Sequence, residues 1–215
     1  YEYGQVINEL RPCKKILEKT KLEKQFIISD FDHNLFTKNI KAVDVSTNTR
    51  KNVAKLFLQY KMDENDRWIY LTGVANTGRS FLATIYTIDL AKYNKGPICF
   101  INAHQRFKEL QDTSITDKSR FQYLLDSYSN CPILVIDDFG SELRNDFIRN
   151  TLLQILIKRS GKKLFTVFTS DYTISEIISL YSVSKASSIE ANRIGKILTE
   201  ECIKEFNLGN IGVYR

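Results

Sequence analysis

Trp68-Ile69-Tyr70-Leu71-Thr72-Gly73-Val74-Ala75-Asn76-Thr77-Gly78-Arg79-Ser80-Phe81 reads as a short apolar strand, a loop bounded by two glycines, and the opening of a helix. The spacing is that of a phosphate-binding P-loop, G-x-x-x-x-G-K-[ST], with Arg79 standing where the pattern has lysine. Gly73 and Gly78 can take backbone angles closed to residues with a Cβ, so the loop can wrap tightly and turn its N–H groups inward. The N–H groups of Val74, Ala75, Asn76 and Thr77, with the unpaired donors of the helix's first turn through Phe81, then make a nest for the β-phosphate of a nucleotide. The Ser80 hydroxyl is placed to hold a magnesium ion bridging the β- and γ-phosphates. Arg79 keeps the charge of the missing lysine but carries a bulkier planar fork, which is not a conservative exchange at a tight site. An ordinary strand-to-helix turn with two glycines is the plain alternative, so the reading needs a partner elsewhere in the chain.

That partner is Ile133-Leu134-Val135-Ile136 followed by Asp137-Asp138, four apolar residues ending in two carboxylates. It matches a Walker B element. Asp137 would hold magnesium directly or through water. Asp138 would orient or deprotonate the attacking water, because phosphoryl transfer is mostly positioning and charge stabilisation. A third apolar run, Leu164 to Phe168, ends in Thr169-Ser170-Asp171. Strands alternating with helical stretches predict a parallel sheet with helices on both faces, and ligands of such sheets bind beyond the C-terminal strand ends. All three stretches fall on that edge.

Around these anchors the periodicity predicts a helix after the caps Ser46, Thr47 and Asn48, carried by Val53, Leu56, Phe57 and Tyr60 and ended by Asp63–Asp66. Further helices are expected over 80–93, 103–111, 117–129, 144–159, 173–181 and roughly 189–205, with a polar break at Asp112–Thr116 and a Ser-rich loop at 182–188. Pro97–Asn102 reads as a strand buried on both faces. A terminal strand is expected at Phe206–Leu208 or Ile211–Tyr214. Residues 1–25 are charge-rich and read as a solvated helix or linker, and 26–45 look irregular. The domain reading is therefore a charged N-terminal arm over 1–45 and a nucleotide-binding core over 46–215.

The composition sets the outer limits. The 215 residues are 43% hydrophobic and 26% charged, enough for one good core. No apolar run approaches the ~20 residues that span a bilayer. The chain begins at Tyr1 without an initiator Met or a signal-peptide pattern, which reads as a segment of a longer, cytoplasmic protein. Cys13, Cys99, Cys131 and Cys202 are scattered, without C-x-x-C pairing, and His33 and His104 stand alone; this fits reduced thiols and no local zinc module. The net charge of +6 suits a polyanionic partner. Phe107-Lys108 and Arg120-Phe121 are the candidates for stacking on single-stranded DNA, set against the plainer reading of helical aromatics as core.

Taken together, the P-loop, Asp137-Asp138-Phe139-Gly140-Ser141-Glu142, Phe147-Ile148-Arg149, Phe168-Thr169-Ser170-Asp171 and Ala191-Asn192-Arg193-Ile194 resemble the AAA+ helicase loaders of bacterial replication, the DnaC/DnaI group. The resemblance covers about residues 30–215 and implies an AAA+, RecA-like P-loop NTPase with a parallel sheet sandwiched by helices. It implies ATP and Mg2+ as cofactors, with a replicative DNA helicase and single-stranded DNA as partners. It also implies self-assembly across the nucleotide site, while the departures at Arg79, Asp171 and Ile197 lead to an expectation of weak ATPase activity. Ser170 and Asp171 occupy the stretch that senses the γ-phosphate, with Asp171 in place of the group's asparagine, and that added carboxylate is expected to repel phosphate. Arg193 matches the first arginine of a late R-[IV]-x-x-R pattern, while Ile197 stands in place of the second and Lys196 comes one residue early. Two other readings share the motifs: an IstB-type ATPase assisting a transposase, and a P-loop scaffold that binds a partner without hydrolysis.

Overall fold

The computed structural model describes residues 14–38, 68–93, 96–182 and 185–209. Its centre is a sheet of β1 (Phe26–Ser29), β2 (Trp68–Thr72), β3 (Ile98–Asn102), β4 (Ile133–Asp137), β5 (Phe165–Ser170) and β6 (Cys202–Asn207). The spatial order is β1-β3-β4-β5-β2-β6, and every pairing is parallel. The expected architecture is thus found, with the P-loop strand β2 between β5 and β6. Thr72 is in register with Ser170 on one side and with Asn207 on the other.

Seven helices accompany the strands among the described residues: α1 (Lys14–Glu23), α2 (Arg79–Lys92), α3 (Ala103–Thr116), α4 (Lys118–Asn130), α5 (Asp146–Gly161), α6 (Ile174–Tyr181) and α7 (Lys185–Glu201). Side chains alternate across a strand, so each strand feeds two cores. Trp68, Tyr70, Ile136 and Phe168 pack on one face with Phe107, Leu124, Leu152 and Ile194 from α3, α4, α5 and α7. Ile69, Leu71, Val135 and Val167 pack on the other with Leu82, Ile85 and Tyr86 of α2. Every residue of β2, β4 and β5 is buried, which is why these segments read as unbroken apolar runs.

Several local expectations are corrected. Residues 26–45 do not begin irregularly: Phe26–Ser29 is an edge strand paired with β3, followed by a 3-10 turn at His33–Thr37. Two interactions hold this segment down. Phe26 packs edge-on against Phe31 and Phe36, which meet each other tilted, and Phe31 packs edge-on against Phe100. Asp30 accepts from Arg106 Nε at 2.7 Å and from the Asn102 N–H at 3.0 Å. The sheet therefore draws one strand from residues assigned to the arm. The break between α3 and α4 falls at Asp117 alone, whose carboxylate caps α4 by accepting the Arg120 N–H. The polar residues ahead of it stay helical because Thr113, Ser114 and Thr116 return their hydroxyls to their own helix's carbonyls. α7 starts earlier than expected and ends at Glu201, and the chain passes straight into β6. The helix expected after Ser46 and the alternative strand at Ile211–Tyr214 lie outside the described residues. No helix among those described is long and apolar enough to cross a membrane.

Candidate functional site

Because the sheet is parallel, the C-terminal ends of β2, β4 and β5 open on one edge. The P-loop leaves β2 there. Gly78 holds a left-handed backbone (φ 88°, ψ 17°) and α2 starts at the next residue with no side-chain cap. The first intrahelical bond, Leu82 N–H to Gly78 O, is 2.8 Å long. The donors ahead of it have no intrahelical partner and sit at the positive end of the helix dipole. At Gly73 a Cβ would lie 3.1 Å from Thr77 Oγ1 and 3.3 Å from Leu208 Cβ, so the loop closes only over glycine. Thr77 Oγ1 fastens that closure by donating to the Val74 carbonyl at 2.8 Å.

The carboxylates of β4 meet this loop. Asp137 is buried and accepts from Thr169 Oγ1 at 2.5 Å. Burial, and then the neighbouring charge of Asp138, push the Asp137 carboxyl above its ordinary value; the Thr169 and Ser80 hydroxyls and Arg79 oppose that rise without cancelling it. Asp138 has a left-handed backbone (φ 55°). Its N–H donates to the same Thr169 Oγ1 at 3.0 Å, and its Oδ2 accepts from Asn102 Nδ2 at 3.4 Å. One hydroxyl on β5 therefore holds the Asp137 carboxylate and the Asp138 backbone at the end of β4.

Arg79 is almost fully buried. Its Nη1 donates to the carbonyls of Gly73 and Ser170, the latter at 2.6 Å, and its Nη2 donates to Asp171 Oδ1 at 2.5 Å. Asp171 is the ion-pair partner of the P-loop arginine. The two unusual residues of the sequence are in contact.

The loop, Arg79, Asp138 and Asp171 line a cavity of about 590 Å³; Asp137, buried at the end of β4, is not part of its wall. Ala75, Asn76, Thr77, Gly78, Arg79, Ser80, Phe81, Asp138 and Asp171 are among its walls, so most of the expected cofactor-binding residues converge there. Others do not. Gly73 and Val74 border a shallower neighbouring hollow of about 310 Å³. Ser170 is fully buried and spends its hydroxyl on the Phe139 carbonyl at 2.6 Å, tying β5 to the loop after β4. Arg193 is exposed on α7, outside the cavity wall. Neither Phe107 nor Phe121 is free to stack on a base: Phe107 is fully buried and Phe121 packs on Phe147. The cavity also gains Arg144 and Tyr172, which the motifs did not single out. Position is the signal that could have found them, since Arg144 lies two residues past the Asp137–Glu142 motif and Tyr172 directly follows Asp171. Glu142, from the same motif, is buried with one oxygen on the Gly140 N–H at 2.8 Å, and burial pushes its carboxyl up to about 7.

The donor set suits magnesium. Ser80 and Asp137, the two expected ligands, are close enough for the Ser80 hydroxyl to help hold down the Asp137 carboxyl's rise, and both offer hard oxygen. Among the described residues no three His, Cys, Asp or Glu side chains gather into a metal cage. Magnesium is commonly held by one or two protein oxygens with the remainder from water and substrate phosphates, so this sparse set fits it.

Comparison with known proteins agrees with this geometry. A family model described as IstB-like ATP binding protein matches residues 4–191. The replicative helicase loader DnaI of Bacillus subtilis is 22% identical over 196 residues, covering 87% of this chain and 61% of that protein. The chain thus spans about three fifths of that relative's length. The crystal structure of DnaI superposes with a TM-score of 0.72 at 20% identity, over 86% of this chain and 98% of that one. That of the DnaC helicase loader gives 0.62 at 18% identity, over 79% and 95%. At these identities the likeness is one of fold: the AAA+ P-loop fold of the loaders.

Proposed function

From the premise that the chain belongs to the IstB-like ATP-binding family, we propose that it is an ATP-binding helicase loader, delivering a replicative DNA helicase to single-stranded DNA in the cytoplasm. The observation that carries this reading is the similarity to DnaI across 87% of the chain. The loop N–H groups would receive the β-phosphate, and Ser80 with Asp137 would hold Mg2+. Bound there, Mg2+ supplies charge neutralisation across the outer phosphates. Asp138, fixed through Thr169 and Asn102, faces the cavity and positions a water. Arg193, exposed on α7, keeps the first arginine of the loaders' pair, while Ile197 stands where the arginine that reaches a neighbouring copy's nucleotide would be. Hydrolysis by the isolated chain is slow, because the guanidinium of Arg79 is already engaged within the protein.

Calorimetry with ATP and Mg2+, followed by a helicase pull-down on the same sample, tests the reading. Nucleotide-dependent capture of the helicase hexamer is expected. Saturable ATP binding with capture of a transposase in its place would shift the assignment to an IstB-type transposition helper, a reading the matched family model also favours.

A further inference from the structure

Resting on the nucleotide-site reading above, we infer that the Arg79–Asp171 pair makes this site take nucleoside diphosphates in preference to triphosphates. A P-loop cation earns its place by reaching the β- and γ-phosphates. Here that cation faces inward: Arg79 is 6% exposed, with two backbone carbonyls on Nη1 and a carboxylate on Nη2. The carboxylate itself is 52% exposed and forms part of the cavity wall. A terminal phosphate entering reach of Arg79 therefore also enters reach of Asp171.

Two arrangements are open to a triphosphate, and both cost affinity. If the pair stays closed, the outermost phosphate meets no uncommitted P-loop cation and faces a like charge. If Arg79 turns to the phosphate, Asp171 loses its partner beside a second anion, and the Gly73 and Ser170 carbonyls lose a donor. A diphosphate needs neither change, because its β-phosphate rests on loop N–H groups that the pair leaves untouched. Arg144, the other arginine in the cavity wall, lies beyond β4 and does not contact Asp171. The spacing of the P-loop pattern and the charge of its cation are both kept, while that charge is neutralised within the protein by Asp171.

The test is calorimetric titration of the chain with ADP and with a non-hydrolysable ATP analogue, each in excess Mg2+, on the natural sequence and on Asp171→Asn. The natural chain is expected to bind ADP at least tenfold more tightly, a difference of about 1.4 kcal/mol. Asp171→Asn is expected to shrink that ratio to threefold or less, mainly by tightening the triphosphate. A smaller preference in the natural chain overturns the inference, and that measurement stands even if the variant fails to fold. A ratio that Asp171→Asn leaves in place overturns it as well. Equal binding of both nucleotides removes this inference alone; binding of neither removes the nucleotide site with it.

Discussion

Thr169 is the residue whose loss reaches furthest into the site. Its hydroxyl donates to Asp137 Oδ1 at 2.5 Å and accepts the Asp138 N–H at 3.0 Å, and the residue is fully buried. Replacing it by valine keeps the shape and removes both bonds. The first, to a carboxylate, is worth about 1.5–3 kcal/mol and the second about 0.5–1.5, so a loss of about 2–4 kcal/mol is expected. For a chain of this size that is roughly 4–16 °C in Tm. The functional effect follows from the same bonds. Thr169 supports a carboxylate assigned to Mg2+, and losing such a support typically weakens metal affinity about 10–100-fold. Thr169→Ser keeps the hydroxyl and should lose far less on both counts. Urea unfolding and Mg2+ titration monitored by nucleotide binding measure the two effects together. If Thr169→Val matches the natural chain within about 0.5 kcal/mol and keeps its Mg2+ dependence, the assignment of Thr169 as the common support is refuted.

Two further outcomes follow from groups outside the cavity's phosphate end. Glu142 has a folded-state value near 7 against an ordinary 4.5, a rise caused first by burial. A raised value means its contribution to stability is full below pH 4.5, falls through the interval, and is gone above about 7. Glu142→Gln should therefore stabilise the chain at pH 8 relative to pH 5, by up to roughly 3 kcal/mol, as read from thermal melts of both proteins. Equal pH slopes for the two proteins would exclude that origin. Arg159, fully buried, donates to Thr166 Oγ1 and to the carbonyls of Tyr128, Cys131 and Phe165 at 2.6–2.9 Å. Arg159→Met strips that donor from three buried carbonyls and should cost about 3–5 kcal/mol by urea unfolding, while nucleotide affinity in the folded fraction holds.

The parts of this molecule legible in its sequence are those where one physical demand dominates. A strand covered on both faces has to be apolar throughout, so β2, β4 and β5 stood out, and a loop that wraps phosphate needs glycine where Gly73 and Gly78 stand. Edges are different. β1 has only four residues and a half-exposed pattern, and its tether, Asp30 to Arg106, joins positions far apart in sequence. β6 carries Lys204 and Glu205 and follows α7 without a turn, so its polar residues looked like the end of a helix. The pairing of Arg79 with Asp171 was hidden for a related reason. It depends on β2 lying beside β5, with Thr72 opposite Ser170, and only the strand order brings those loops together. Phe107 and Phe121 show the reverse case: residue type offered a DNA contact beside the plainer reading as core, and Phe107 is fully buried while Phe121 packs, partly buried, on Phe147.

In sequence, three departures from the loaders' pattern bear on the outer phosphate: Arg79, Asp171 and Ile197. In three dimensions they fall into two events. Ile197 packs against the core while Lys196 pairs with Glu200 at 3.8 Å, so this part of α7 has exchanged a projecting charge for helix packing. Arg79 and Asp171 form one compensated unit, and that claim has a consequence for stability independent of any ligand. Two unrelated substitutions would have additive effects; two partners of one ion pair would not. Arg79→Lys shortens the fork and gives up the planar geometry that reaches Gly73, Ser170 and Asp171 together. Asp171→Asn removes the charge and leaves the buried guanidinium with neutral acceptors only. Having lost one partner, the pair has little left to lose from the second change. The double variant should therefore be more stable than the sum of the singles by about 0.5–1 kcal/mol, a range kept low because Asp171 is half exposed. Additivity within about 0.3 kcal/mol in urea unfolding would show that the two residues arrived separately and act separately.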